Sequence, residues 1–106
     1  MAKYDPNNLS KKHRDALLNE LSAILFKLES PKEIYNFLKD LLTESEEVMI
    51  ARRLQIAKML LNDCTYEDIK SKLKVGYDNI KNVKYFLDFG WGGYLKAVNS
   101  KKKLKP

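Results

Sequence analysis

Thr65-Tyr-Glu-Asp-Ile-Lys-Ser-Lys-Leu-Lys-Val-Gly-Tyr-Asp-Asn-Ile-Lys-Asn-Val83 is the stretch that decides how this chain folds. It divides into two short segments with apolar residues at helical spacing, Ile69 and Leu73 in the first, Ile80 and Val83 in the second. Lys74-Val75-Gly76 lies between them, and Gly76 is expected to supply the backbone angle that other residues resist. Thr65 stands three residues before Asp68, a capping-box spacing with Asp in place of the usual Glu, so it opens the first helix. Two short helices, a tight turn with a small residue and apolar positions on facing sides are what a helix-turn-helix needs: the first helix braces a second whose N-terminal end enters the DNA major groove. Ile69, Leu73, Val75, Ile80 and Val83 meet the apolar requirement, and the second helix is expected from about Asp78 to Asp88, with Leu87 continuing its inner face.

At about 100° per residue, the side of this second helix turned away from Ile80 holds Asp78, Lys81, Asn82 and Tyr85, with Tyr77 and Asn79 at its leading end. An asparagine amide can pair with an adenine edge, and a lysine with guanine or phosphate. Lys70, Lys72, Lys74 and Lys84 flank the surface and are expected to hold phosphates. Tyr77, Asn79, Lys81 and Asn82 are the expected base-side contacts. A carboxylate at this tip repels phosphate, so Asp78 either caps the helix or accepts from a cytosine amino group, and capping is expected. Charge is distributed to match. Residues 1–64 carry ten Lys/Arg and ten Asp/Glu, whereas residues 65–106 carry ten Lys/Arg against four Asp/Glu and so hold the whole net charge of +6. A solvated helical surface does not by itself predict a neutral half beside a basic one; a polyanion-binding half does.

Outward from the motif, the rest of the chain is also helical. Gly and Pro number only four and three and fall at boundaries, and no strand-like alternation of useful length occurs. One hundred and six residues make a single domain. Residues 1–8 form a loose arm. Residues 9–62 form a helical platform: Leu17, Leu18, Leu21, Ile24, Leu25 and Leu28 mark one helix face. Ser30-Pro31-Lys32-Glu33 restarts a helix carrying Ile34, Leu38, Leu41 and Leu42, and Thr43-Glu-Ser-Glu46 starts a long one to about Asn62. Residues 65–88 are the helix-turn-helix. Gly90-Trp-Gly-Gly93 breaks it, with Trp91 expected to plug a hydrophobic seam. Residues 94–98 make a short last helix and residues 99–106, with four lysines, a basic tail.

Several function classes find no support. No run approaches the roughly 18 apolar residues of a membrane span, and the N-terminal residues lack a secretory pattern, so a cytoplasmic protein is expected. The single cysteine, Cys64, excludes an intramolecular disulfide framework and is read as a structural thiol. The single histidine, His13, sits among Lys11, Lys12 and Arg14 and is read as part of a solvated face. With no phosphate-binding loop, metal-ligand spacing or nucleophile-base set, an enzyme is not expected, nor is a metal or a resident cofactor.

Leu42-Thr43-Glu-Ser-Glu46, Ala51-Arg-Arg-Leu54, Ile56-Ala-Lys-Met-Leu-Leu61, Thr65-Tyr-Glu-Asp-Ile69, the Gly76–Val83 helix and Leu87-Asp-Phe-Gly-Trp-Gly-Gly-Tyr94 together resemble the Trp repressor family, in particular its small members of unassigned ligand. With the preceding helices, the resemblance covers roughly residues 10–98. It implies an all-α, intertwined homodimer whose helix-turn-helix heads read operator half-sites. The wide apolar faces of the first two helices, which a chain this short struggles to cover alone, agree with a dimer. The family's reading helix runs Ser-Thr-Ala-Thr-Ile-Ser-Arg or close to it; here the segment is Gly76-Tyr-Asp-Asn-Ile-Lys-Asn82, so a different target sequence is implied. Trp repressor grips its amino acid with a Thr and an Arg on the long helix, matched here by Thr43 and Arg53, and with a Thr, an Arg and a Ser on the reading helix, where Asn79, Asn82 and Phe86 stand. The lost second Arg removes a partner for the ligand's carboxylate, and Phe86 is expected to crowd the pocket, so tryptophan is not the expected co-repressor. Arg52 and Arg53 are read as serving dimer ion pairs or phosphate approach.

The resulting expectation is a homodimeric, sequence-specific regulator of transcription that binds double-stranded DNA, most simply a repressor that occupies its site. A non-specific DNA-binding dimer and a protein-interaction module with a degenerate helix-turn-helix are the alternatives.

Overall fold

The computed structural model describes residues 6–99; residues 1–5 of the expected arm and residues 100–106 of the expected tail lie outside them. Among the described residues there are six α-helices, one short 3-10 turn (Pro6–Asn8) and no strand, so the chain is all-α as expected. It forms two compact units, Met1–Glu47 and Val48–Pro106.

The first unit contains α1 (Lys11–Lys27), α2 (Pro31–Leu41) and the first turn of α3 (Glu44–Leu61). Each start is written locally. The Ser10 hydroxyl accepts from the His13 N–H and opens α1. Ser30 accepts from the Glu33 N–H with Pro31 in the first turn of α2, and the Glu33 carboxylate reaches back to the Glu29 N–H at 3.1 Å rather than to that of Ser30. At α3 the box closes in both directions: Thr43 Oγ1 accepts from the Glu46 N–H and the Glu46 carboxylate accepts from the Thr43 N–H at 2.8 Å. Lys39 Nζ lies 3.2 Å from the Glu47 carboxylate, and this hydrogen bond and charge raise the Lys39 pKa above the ordinary lysine value. Neither α1 nor α2 contains a buried residue. Leu17, Leu18, Tyr35 and Leu41 are exposed, and Phe26 is 89 % exposed.

The second unit holds the buried core. The remainder of α3, α4 (Tyr66–Leu73), α5 (Tyr77–Phe89) and α6 (Gly93–Asn99) surround Ile56, Ala57, Ile69, Val75, Ile80 and Val83, with Leu73, Leu87, Tyr94 and Val98 packed against them. The apolar positions expected to hold the helix-turn-helix together are therefore its core. Cys64 also packs there, half-buried, and its thiol is free. Thr65 caps α4 by accepting from the Asp68 N–H.

Three local expectations are corrected. Gly76 does not supply the unusual turn angle: its φ of −76° is open to any residue, and the left-handed residue is Lys74, at φ 56° and ψ 46°. The reason lies in how α4 ends, since its last turn closes by a Lys74 N–H to Lys70 C=O bond of 2.9 Å and the chain must then reverse at once. Asp78 is not the cap of α5; Gly76 occupies that position without a side-chain hydrogen bond, and Asp78 sits in the first turn, where its charge suits the helix dipole. Trp91 plugs no seam of this chain: its side chain is fully exposed. The break beside it does need glycine, because a Cβ on Gly90 would collide with the backbone oxygen of Phe86, to which the Gly90 N–H is bonded.

Candidate nucleic-acid interface

The second unit shows how the sequence builds this surface. Ile69 from α4, Val75 from the turn, and Ile80 and Val83 from α5 are buried together, which fixes α5 against α4 by one face. The opposite face is left to solvent. Lys70, Lys72, Lys74, Tyr77, Asn79, Lys81, Asn82, Lys84 and Tyr85, all anticipated as contacts, are all exposed.

They do not form one uniform surface. Tyr77, the first residue of α5, meets the ring of Tyr66 at 5.3 Å between centroids and 61° between planes, an edge-on contact. Lys81, one turn along, places its ammonium 5.8 Å from the Tyr77 ring centroid. These three residues make one ordered group at the leading end of the helix. Lys84 is drawn to Asp88 at 3.3 Å, an exposed i,i+4 pair, and so is partly neutralised. Tyr85 leans toward the other end of α5, where its ring meets those of Phe86 at 5.2 Å and Phe89 at 5.3 Å. Asn79 lies on the flank facing α3 and lines a cavity with Met49, Arg52, Arg53, Ile56 and Val75.

That cavity has a volume of about 80 Å³. It brings Arg53 and Asn79 together. Thr43, the other residue the resemblance assigned to an effector, uses its hydroxyl to cap α3 in the first unit. Phe86, expected to crowd the effector pocket, does not line this cavity; it lines a separate open groove with Trp91, Gly93, Tyr94 and Ala97. Two features escaped the sequence reading. The first is Tyr66 as a brace for Tyr77, for which eleven residues of separation leave no periodic signal. The second is the set of cavity walls, whose signal was present: Met49, Arg52, Arg53 and Ile56 recur at the three/four spacing of one α3 face.

Among the described residues no helix is long and apolar enough to cross a membrane, and no group of His, Cys, Asp and Glu could hold a metal ion.

The chain is similar to known proteins over most of its length. YerC of Bacillus subtilis (strain 168), an uncharacterised protein, is 32 % identical over 92 residues, which covers 87 % of this chain and 88 % of YerC. The crystal structure of a candidate Trp repressor from Staphylococcus aureus superposes with a TM-score of 0.76 at 34 % identity, covering 84 % of this chain and 89 % of that one. The family profile described as Trp repressor protein matches residues 16–102. With the buried brace, the exposed face of α5 and these likenesses in place, the chain belongs to the Trp repressor family.

Proposed function

We propose that this protein is a homodimeric transcription regulator that binds double-stranded DNA sequence-specifically through α5 and represses by occupying its site in the cytoplasm. Membership in a family of DNA-binding regulators supports the first part. The observation that carries the reading is the burial of Ile69, Val75, Ile80 and Val83 behind an α5 face that presents Tyr77, Lys81 and Asn82 to solvent, in the half of the chain that holds the net charge. Lys70, Lys72, Lys74 and Lys84 hold phosphates in this reading, so binding falls steeply with salt.

A dimer accounts for the first unit. Two helices without a buried residue, and a phenylalanine at 89 % exposure, leave apolar surface that a second copy covers. Twofold symmetry then sets the two reading helices about one DNA turn apart, the spacing stated for helix-turn-helix dimers, with Trp repressor among the named examples.

Tryptophan is not the effector in this reading. Asn82 stands where the family's second arginine would meet the ligand's carboxylate, so that charged partner is missing. Calorimetry is expected to give no saturable tryptophan site below millimolar affinity; such a site would overturn this part.

Selection from random duplex DNA at near-physiological salt, with the assembly state followed by sedimentation, tests the whole. A palindromic motif with half-sites about one turn apart is the expected result. Retention without a motif means a non-specific binder. A folded dimer that retains no DNA means a protein-interaction module, for which the exposed groove at Phe86 and Trp91 would be the surface.

A further inference from the structure

Tyr77 is half exposed, yet its ring is not free to wander. Tyr66 holds one edge of it, and Lys81 stands over it from the next turn of the same helix. Tyr66 is itself partly buried against the core, so the brace is anchored. An exposed aromatic side chain fixed from two sides at the first turn of a reading helix is a preformed apolar surface, ordered before any partner arrives. In the major groove the apolar feature that bases display is the C5-methyl of thymine. Lys81 brings the complementary chemistry: its ammonium donates, and guanine O6 and N7 are the paired acceptors in that groove. Four residues of helix advance about 6 Å, a little under two base-pair steps.

We propose that Tyr77 and Lys81 act as a coupled pair that reads a thymine methyl and, within two base pairs of it, a guanine edge. This rests on α5 being a DNA-reading helix. It goes further by naming the bases and the order of contact: the ring covers the methyl, and the same ring holds the ammonium in line with the guanine.

The test uses the motif recovered by selection, with deoxyuridine replacing each thymine in turn, which removes only the methyl. One thymine per half-site is expected at which the replacement weakens the wild-type protein about fourfold, the effect of one buried methyl. Tyr77→Phe keeps that sensitivity and Tyr77→Ala loses it, with an unchanged helical circular-dichroism spectrum and a cooperative thermal melt showing that the variant is folded. Lys81→Met loses discrimination at a guanine within two base pairs, and the Tyr77→Ala and Lys81→Met losses combine to about two- to fivefold less than their product, the range of an exposed cation–π contact. Uridine replacement without effect anywhere in a specifically bound motif overturns the pair and leaves the regulator reading standing, as does a methyl effect that survives Tyr77→Ala. Selection that yields no motif overturns both.

Discussion

Lys74→Gly is expected to make the protein more stable and a weaker DNA binder at once. Lys74 ends α4 in the left-handed region, at φ 56° and ψ 46°. A side chain with a Cβ pays about 1–2 kcal/mol there. Glycine removes that strain but adds unfolded-state freedom, which costs about 0.4–1 kcal/mol. The balance favours the variant by about 0.5–1 kcal/mol per chain, or several degrees in Tm for a domain of this size. Since the residue is exposed and its Lys70-directed backbone bond is kept, no packing loss offsets this. Thermal melts at fixed protein concentration measure it, so that the proposed dimerisation does not enter the comparison. In the proposed DNA complex the same change removes one phosphate contact per chain. A dimer then loses two, and the slope of log affinity against log salt becomes shallower by about 1.8. Lys74→Asn, which also tolerates the left-handed region, should follow glycine in both respects. A glycine variant that melts lower would refute the strain assignment. An unchanged salt slope would remove Lys74 from the DNA surface.

Ile80→Ala should cost about 2–5 kcal/mol in denaturant unfolding, since the side chain is fully buried where α4, α5 and the turn meet; a cost under 1 kcal/mol would mean the brace is not the core of this unit. Gly90→Ala should cost about 1–3 kcal/mol, because the new Cβ meets the Phe86 backbone oxygen, and its failure to destabilise would show the last turn of α5 to be freely adjustable. Glu47 holds the Lys39 proton more tightly in the folded state, so this contribution is full at neutral pH and is lost as pH rises past the ordinary lysine range; Lys39→Met should flatten the alkaline limb of the Tm–pH curve, and an unchanged limb would exclude the pair. Trp91 is the sole tryptophan and is fully exposed, and the surface proposed for dimer contact lies in the first unit, so its emission should stay at the solvent-exposed position at every protein concentration; a shift to shorter wavelength as concentration rises would place the groove in a contact between copies.

Helix starts were the most legible part of this sequence. Ser30, Thr43 and Thr65 each accept from the N–H three residues on, because a cap is decided by side chains within one turn of chain. The apolar set Ile69, Val75, Ile80 and Val83 was legible for a similar reason: periodicity assigns a face, and two facing faces form a core. What failed depended on geometry that composition does not encode. The left-handed residue fell on Lys74 because the last turn of α4 closes there, whichever side chain is present. Trp91 was assigned to a seam because a large apolar residue between glycines suggests one, but its exposure is set by surfaces distant in sequence. The candidate site was legible as a set of exposed residues and not as an arrangement: nothing in the spacing separates the ordered Tyr77–Lys81 pair from Tyr85, held among the aromatic rings of Phe86 and Phe89.

The turn carries a consequence for how its relatives are compared. Its one glycine stands at an ordinary backbone angle with open space where a side chain would go, while the residue two places earlier bears the angle that glycine suits. Either position can change alone. Substitution at 76 meets no steric bar, and glycine at 74 relieves one, so a lineage can move its glycine by two residues without passing through an unfolded intermediate. Alignments that pin the two helices together by a shared glycine will then shift α5 by two residues, about 200° around its axis, and pair buried positions with solvent-facing ones. The buried isoleucines at 69 and 80 are the safer register marks.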